Sequence, residues 1–407
     1  MSFQQALSGL SSSSKQLDVI GNNVSNASTV GFKQSQAQFA DQYAASLYSS
    51  SALQVGSGSR VAAIAQQFSQ GNTTPTNNPL DTAIRGAGFF RMTDQNNAIT
   101  YTRNGQFHED LNGFLVNNSG HNLTGLVGIA ATATTAASLG TLGSLKINKD
   151  PAPPKATAST VPPVPATLVV NLDQRLAVGA TKATSMTVFD STGAPHIAEF
   201  TFTKITPVAP AASQWTVGLT IDGAADPLAG TLNFDINGTL TNAAAAATFT
   251  SAAVAANGLK AIPFNFAGST QYSGDFSVNS MSQDGYAQGT LSGYSIGADG
   301  IITGRYTNGK NQPLGQILLA NFSNPQGLQA VGDNEWVDTP AAGLLGATPL
   351  APGQSGRGVL QGSAVEDSNV DLTAELVNMI VAQRVYQANA QTIKAQDQIL
   401  QTIVNLK

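Results

Sequence analysis

Apolar residues recur with two different periods along the chain, and the change of period divides it into parts. At the N-terminus Phe3, Leu10, Leu17 and Val24 return every seven residues, with Ala6, Ser13 and Ile20 three positions after the first three of them. That spacing predicts one apolar stripe on a helix of about five or six turns, weakened at Gly21-Asn22-Asn23. At the other end Leu372, Met379, Tyr386, Ile393 and Leu400 form a second seven-residue series, flanked by Leu376, Ile380, Val385, Ile399, Ile403 and Leu406. Asp371 is placed to cap this helix, with Glu375 in its first turn and Lys394 toward its far end, so the charges follow the helix dipole. No glycine or proline interrupts Asp371 to Leu406, which predicts about 35 helical residues on the order of 50 Å long.

Between the ends, strand-like runs take over. From Leu80 to Gly125, runs such as Phe89-Phe90-Arg91-Met92, Ile99-Thr100-Tyr101 and Gly113-Phe114-Leu115-Val116 are split by turn signals at Asp94-Gln95-Asn96-Asn97, Asn104-Gly105 and Asn112-Gly113. The same grammar returns from Asp284 to Val337, with Asp284-Gly285, Asp299-Gly300 and Asn308-Gly309. Both flanks are expected to build one β domain. Between them, proline-rich Asp150 to Pro165 predicts an extended connection, followed by strands over Thr187–Phe189, His196–Ile205 and Trp215–Leu219. The expected fold is therefore α+β and mostly β. Its terminal helices pair as a coiled-coil-like inner domain, and the second of two β-rich domains is inserted into the first. The expected limits are 1–33 and 364–407 for the helices, 34–70 for a linker, 71–147 and 284–363 for the first β domain, and 148–283 for the insert. Ser/Gln/Gly-rich Gln34–Gln70 and Thr339–Ser363 are read as separating helices from body.

Composition narrows the chemistry. Only 11% of the 407 residues are charged, against roughly 25% in an ordinary soluble protein. There is no cysteine, which excludes disulfides, thiolate metal sites and a cysteine nucleophile. A net charge of −5 without a basic block gives no footprint for nucleic acid, and no 18-residue apolar run suggests membrane insertion. The N-terminus shows no cleavable secretory signal. A surface of small neutral residues, with 40 glycines, fits either a secreted β-rich domain or a self-assembling subunit.

Catalytic groups are sparse. His108, His121 and His196 lack metal-ligand spacing and are read as surface or strand residues. Glu109-Asp110 and Glu366-Asp367 are read as solvated turn and linker carboxylates. Ser355, in Gly353-Gln354-Ser355-Gly356-Arg357, departs from a nucleophile elbow and is assigned to a flexible linker. Tyr272, Tyr286, Tyr294 and Tyr306 leave a sugar-stacking surface as the minor alternative. No catalytic residue, metal, cofactor or small-molecule substrate is expected.

The segment Leu17–Lys33 resembles the N-terminal signature of the bacterial flagellar axial proteins of rod and hook, through Asn22, Asn23, Asn26, Thr29, Gly31, Phe32 and Lys33. Ser25 stands where that family usually has alanine. Asn369–Ala390 is similar to the matching C-terminal signature, including Gln383, Arg384 and Tyr386. The inserted domain, Thr187–Gly193 with Trp215 downstream, Gln283–Gly289 and Asn334-Glu335-Trp336 resemble the hook members more than the shorter rod members. The resemblance covers roughly residues 1–130 and 280–407 and fades in the Ala/Thr-rich tracts near 130–140 and 243–256.

This resemblance implies a non-enzymatic structural subunit that polymerises into a curved, flexible tube transmitting torque from the motor and rod to the filament. The terminal helices would line the tube, with Phe3, Leu10, Leu17, Val24, Leu372, Leu376, Met379, Tyr386, Ile393 and Leu400 forming the assembly interface. In the free monomer these ends are expected to be disordered. The implied partners are identical subunits, the distal rod, the hook cap and the hook–filament junction proteins. Location on the flagellum follows, after type III export without signal cleavage. The alternatives are a distal rod protein and, from another class, a secreted β-rich carbohydrate-binding module or enzyme.

Overall fold

A computed structural model describes residues 2–42, 56, 58–130, 137–160, 162–209, 211–242, 247–252, 258–343 and 348–405. Helix α1 covers Ser2–Ser25 and helix α2 covers Leu372–Asn405, and the two pack together. Helix α1 runs through Gly21-Asn22-Asn23 without a break, because Asn23 is anchored from outside the helix. Asp371 caps α2, its Oδ1 accepting the amides of Thr373 at 2.9 Å and Ala374 at 3.1 Å.

The segment read as a linker is largely ordered. Strand β1 (Ser35–Gln42) and strand β2 (Gly58–Gln66) form an antiparallel hairpin against α1. Most of its tip, residues 43–55 and 57, lies outside the described residues. Few branched or aromatic residues mark these strands, and they are stabilised by packing on the helix more than by propensity. Thr339–Ser363 is likewise no free tether: Val359–Gly362 pairs with Thr82–Arg85, and the Arg357 side chain donates to the carbonyls of Leu319 and Thr348. Residues 344–347 lie outside the description.

Both flanks of the chain interleave in the body sheet. Asn122–Ile129 lies between Phe89–Thr93 and Asn311–Ile317, while Ile99–Thr102 pairs with Glu335–Val337. Alternate residues enter a core including Ile84, Phe90, Met92, Leu123, Ile317 and Leu319. The chain leaves this body and re-enters it along paired segments, Ala152 bridging Gly289 and Lys155 bridging Tyr286, with Lys155 Nζ 2.7 Å from Asp284.

Inside the insertion two four-stranded sheets pack face to face. One has the order Thr248–Thr250, Pro263–Asn265, Ala166–Asn171, Ser277–Ser282; the other is a meander of Thr181–Phe189, Pro195–Ile205, Ser213–Ile221 and Ala224–Phe234. Period-two alternation sends Phe200, Phe202, Trp215 and Val217 into the core, where Phe264 meets Phe200 and Phe266 meets Phe202 edge-on. Each such buried side chain contributes about 1.5–3 kcal/mol of apolar burial.

Candidate assembly site

The segment after α1 turns sharply to meet the body, and the signature residues make that turn. Asn26 donates to the carbonyl of Asn22 and accepts from Thr29 Oγ1. Gly31 adopts φ +72°, and a Cβ there would lie 2.6 Å from the backbone nitrogen of Asn104, so the signature glycine answers both conformation and space. The Phe32 amide closes the turn on Thr29, and Asn334 from the body holds the Val30 carbonyl. Asn23 acts as a clamp, its side chain donating to the Ser35 carbonyl at 2.8 Å and accepting the Ser35 amide at 2.9 Å.

Beyond the turn Lys33 is fully buried, its Nζ 2.7 Å from Glu366 Oε1 and 2.7 Å from the Ser69 carbonyl. The other oxygen of Glu366 accepts from Arg103 at 3.1 Å, and Oε1 also takes the Gly71 amide. Burial pulls the Lys33 ammonium and the Arg103 guanidinium below their ordinary ranges, while Glu366 opposes the shift in both. The triad joins the segment after α1, the body and the strand leading to α2. Asn369 adds a second tie, accepting the Gln34 amide and donating to the carbonyls of Gln67 and Ser69.

Glu366 therefore does not match its reading as a solvated linker carboxylate, while Asp367 is only half-buried. Glu366 is 0% exposed, and Asp367 accepts from Thr74 Oγ1 at 2.6 Å. Ala364–Glu366 pairs with Thr73–Pro75 and all three residues are buried, so this short strand carries no alternation by which its sequence could have marked it. Ser355 sits in a left-handed turn at φ +48°. His121 lies 2.9 Å from Glu335, His196 contacts Asp222, and His108 is exposed on a strand. Among the described residues no group of three or more metal-ligating side chains occurs, and no helix is long and apolar enough to cross a membrane. Tyr306 is part of the body core and Tyr294 packs against that core, while Tyr272 is exposed.

The helices run antiparallel, with Asn23 against Glu375 near one end and Gly9 against Asn389 further along. On α1 the buried column is Ala6, Ser13, Ile20 and Asn23, while Ser12 and Val19 are also buried on the neighbouring side. On α2 Glu375 and Ala382 are buried, with Met379, Asn389 and Ile393 half-buried. Around Ile20 the seam is thus mostly small and polar residues, which let the backbones approach. Of the predicted stripe, Leu10, Leu17, Val24, Met379 and Ile393 are half-buried; Phe3, Leu372, Leu376, Tyr386 and Leu400 remain exposed, as do Gln383 and Arg384. Exposed Val377, Ile380, Val381 and Val385 extend the uncovered apolar surface of α2.

Family models match along the chain: the flagella basal body rod protein model over residues 3–33, the flagellar hook protein FlgE/F/G D1 domain over 83–150, the flagellar basal body protein FlaE D2 domain over 154–286, and the flagellar basal body rod FlgEFG protein C-terminal model over 361–406. The flagellar hook protein FlgE of Escherichia coli (strain K12) is 41% identical over 424 residues, covering 100% of both chains. That of Salmonella typhimurium is 40% identical, and that of Borreliella burgdorferi 31%, each over 100% of this chain. The crystal structure of Helicobacter pylori flagellar hook protein FlgE2 superposes with a TM-score of 0.57 at 14% identity, covering 72% of this chain and 100% of that one, and so shares the fold. With full-length identities of this size and all four family models in order, the chain belongs to the flagellar hook protein family.

Proposed function

We propose that this chain is the structural subunit of the bacterial flagellar hook and polymerises into the curved tube that transmits torque from rod to filament. The observation that carries this reading is the terminal architecture. Two helices from opposite ends of the chain are anchored by one buried triad, yet α2 leaves Leu372, Leu376, Val377, Ile380, Val381, Val385 and Leu400 uncovered. Such a surface is expected to be covered by neighbouring copies. Phe3 on α1 and Tyr386 on α2 belong to the same interface.

In this reading 1–33 and 364–407 form the inner layer, 71–147 with 284–363 the middle layer, and 148–283 the outer layer. The hairpin of β1 and β2 lies between helices and body. The solvent face of the insert's meander carries Thr187, Thr201, Thr203, Thr216 and Thr220 around Ile197 and the carboxylate of Glu199, mostly neutral groups suited to subunits that slide as a hook bends. The subunit travels through the flagellar type III channel without signal cleavage. It meets the distal rod, hook cap and hook–filament junction proteins at the ends of the tube, and its role is structural, with no reaction catalysed.

Electron microscopy of the purified chain under polymerising conditions, with and without residues 1–33, tests the reading. Curved tubes from the full chain and none from the truncated one are expected. A straight polymer would favour a rod protein instead, and normal tubes from the truncated chain would overturn the helix-based assembly.

A further inference from the structure

Two buried carboxylates stand nine residues apart, and they are treated oppositely. Glu366 is met by two cations, Lys33 and Arg103. Glu375, 3% exposed, has no ion pair among the described residues; its oxygens accept from the Gln34 amide group at 2.7 Å and the Asn23 amide group at 3.4 Å. The α2 N-terminus offsets part of its charge. A buried carboxylate whose side-chain partners are neutral amides remains incompletely compensated.

Glu375 lines a solvent-open cleft of about 510 Å³ between α1, β1 and α2, together with Gln16, Gln36, Gln67 and Asn378. The cleft is polar and its only ionisable lining group is Glu375, so it presents amide acceptors around one anion. That is the complement of a guanidinium. Arg384 is exposed and has no ion pair among the described residues. Nine residues along an α-helix turn Arg384 roughly 180° from Glu375 and carry it about 13 Å further along the axis, so Glu375 of the same chain is out of its reach. It sits beside the exposed apolar strip of Val377, Ile380 and Val381, which itself lacks a cover in the single chain.

We infer that Arg384 of one copy enters the Glu375 cleft of the next, making a charge-assisted contact that sets the register of neighbouring helix pairs. The two surfaces lie on different sides of the subunit, so the contact is head-to-tail, the kind that propagates an open helical polymer and does not close a dimer. This inference rests on the polymer reading above and names one of its contacts.

The absence of cysteine makes the test clean. Copies carrying Asn378→Cys, at the cleft mouth, are mixed with copies carrying Gln387→Cys, an exposed position one turn from an intact Arg384, polymerised, and treated with a short bis-maleimide. Covalent heterodimers in the tubes, absent from unpolymerised mixtures, are expected. In parallel, Arg384→Gln and Glu375→Gln are each expected to raise the critical concentration for assembly at least about ten-fold. The double variant should be no worse than the weaker-assembling single one. Arg384 has an exposed side chain, so its variant keeps the monomer fold even if Glu375→Gln disturbs Gln34. Tubes of the mixed cysteine copies without cross-links, or additive single effects, would overturn the Arg384–Glu375 contact and leave the hook reading standing. Failure of the wild-type chain to form any tube would overturn both.

Discussion

Glu366 Oε1 lies 2.7 Å from Lys33 Nζ, joining residues 333 positions apart with both side chains withdrawn from water. Arg103 holds the second oxygen, so one carboxylate is shared between two buried cations. Glu366→Ala leaves Lys33 and Arg103 without a counter-charge and is expected to destabilise the chain by about 3–5 kcal/mol. Denaturant titration followed by tryptophan fluorescence measures this, Trp336 being part of the nearby aromatic cluster with Phe89 and Phe68. A loss below about 1 kcal/mol would mean that water or another group replaces the carboxylate.

Gly31→Ala tests the turn. The residue combines φ +72° with a Cβ position inside contact distance of Asn104 and Arg103 backbone, and backbone cannot swing aside as a side chain can. The expected cost is about 1–3 kcal/mol or more from strain and clash. Thermal unfolding should show it, whereas alanine at Gly120, also at positive φ but with open space around its Cβ, should cost less.

How far these features were legible differs from place to place. The helices could be read because their heptads are long, and the body because Asn-Gly and Asp-Gly turns bracket its strands. The hairpin of β1 and β2 was not, because Ser35–Gln42 and Gly58–Gln66 are mostly small or polar and gain order by lying on α1. The helix seam was displaced for a related reason. Counting apolar residues selects Phe3, Leu10, Leu17 and Val24, but close antiparallel approach selects Ala6, Gly9 and Ser13. The Glu366 triad required knowing that three distant segments converge, which no local pattern of charges reveals.

The seam geometry gives a separation-of-function variant. A Cβ at Gly9 would lie 2.8 Å from Asn389 Nδ2, so Gly9→Val must displace the Asn389 side chain from the seam and crowd the helix pair. Because Gly9 touches neither β core, the expected result is an unchanged melting of the body and a loss of polymerisation, read by calorimetry and sedimentation. A lowered body midpoint would show that the helix pair stabilises the body directly.

Acid should weaken the β domains. The Asp94 carboxyl is held below the ordinary carboxylate value of about 3.8 by the Ala98 amide, Asp222 by His196, and Asp235 by the Thr239 hydroxyl. A carboxyl with a depressed folded pKa stabilises the fold fully above its unfolded value and loses that contribution as pH falls through the folded one. The thermal midpoint is therefore expected to hold at about pH 6 and fall as pH drops below about 3.8. Asp235→Asn should flatten part of the decline; an identical profile would assign the acid sensitivity elsewhere.

Hydrogen exchange can separate the helices from the body within one molecule. In the single chain α1 and α2 meet through small and polar residues, and an isolated helix of about 20 residues is marginal in water. The inserted sandwich instead buries Trp215, Phe200, Phe202, Phe264 and Phe266, and opens only at a cost near its global stability. Amides of Ser2–Ser25 and Leu372–Asn405 are therefore expected to exchange orders of magnitude faster than those of Pro195–Ile205 and Ser213–Ile221 in the monomer. Polymerisation should slow the helices strongly and the sandwich strands little, because neighbours cover α2 while the sandwich core is already complete. Slow exchange of both helices in the monomer would show that the Gly9–Asn389 seam suffices by itself, and the exposed valines and leucines of α2 would then need a purpose other than folding on assembly.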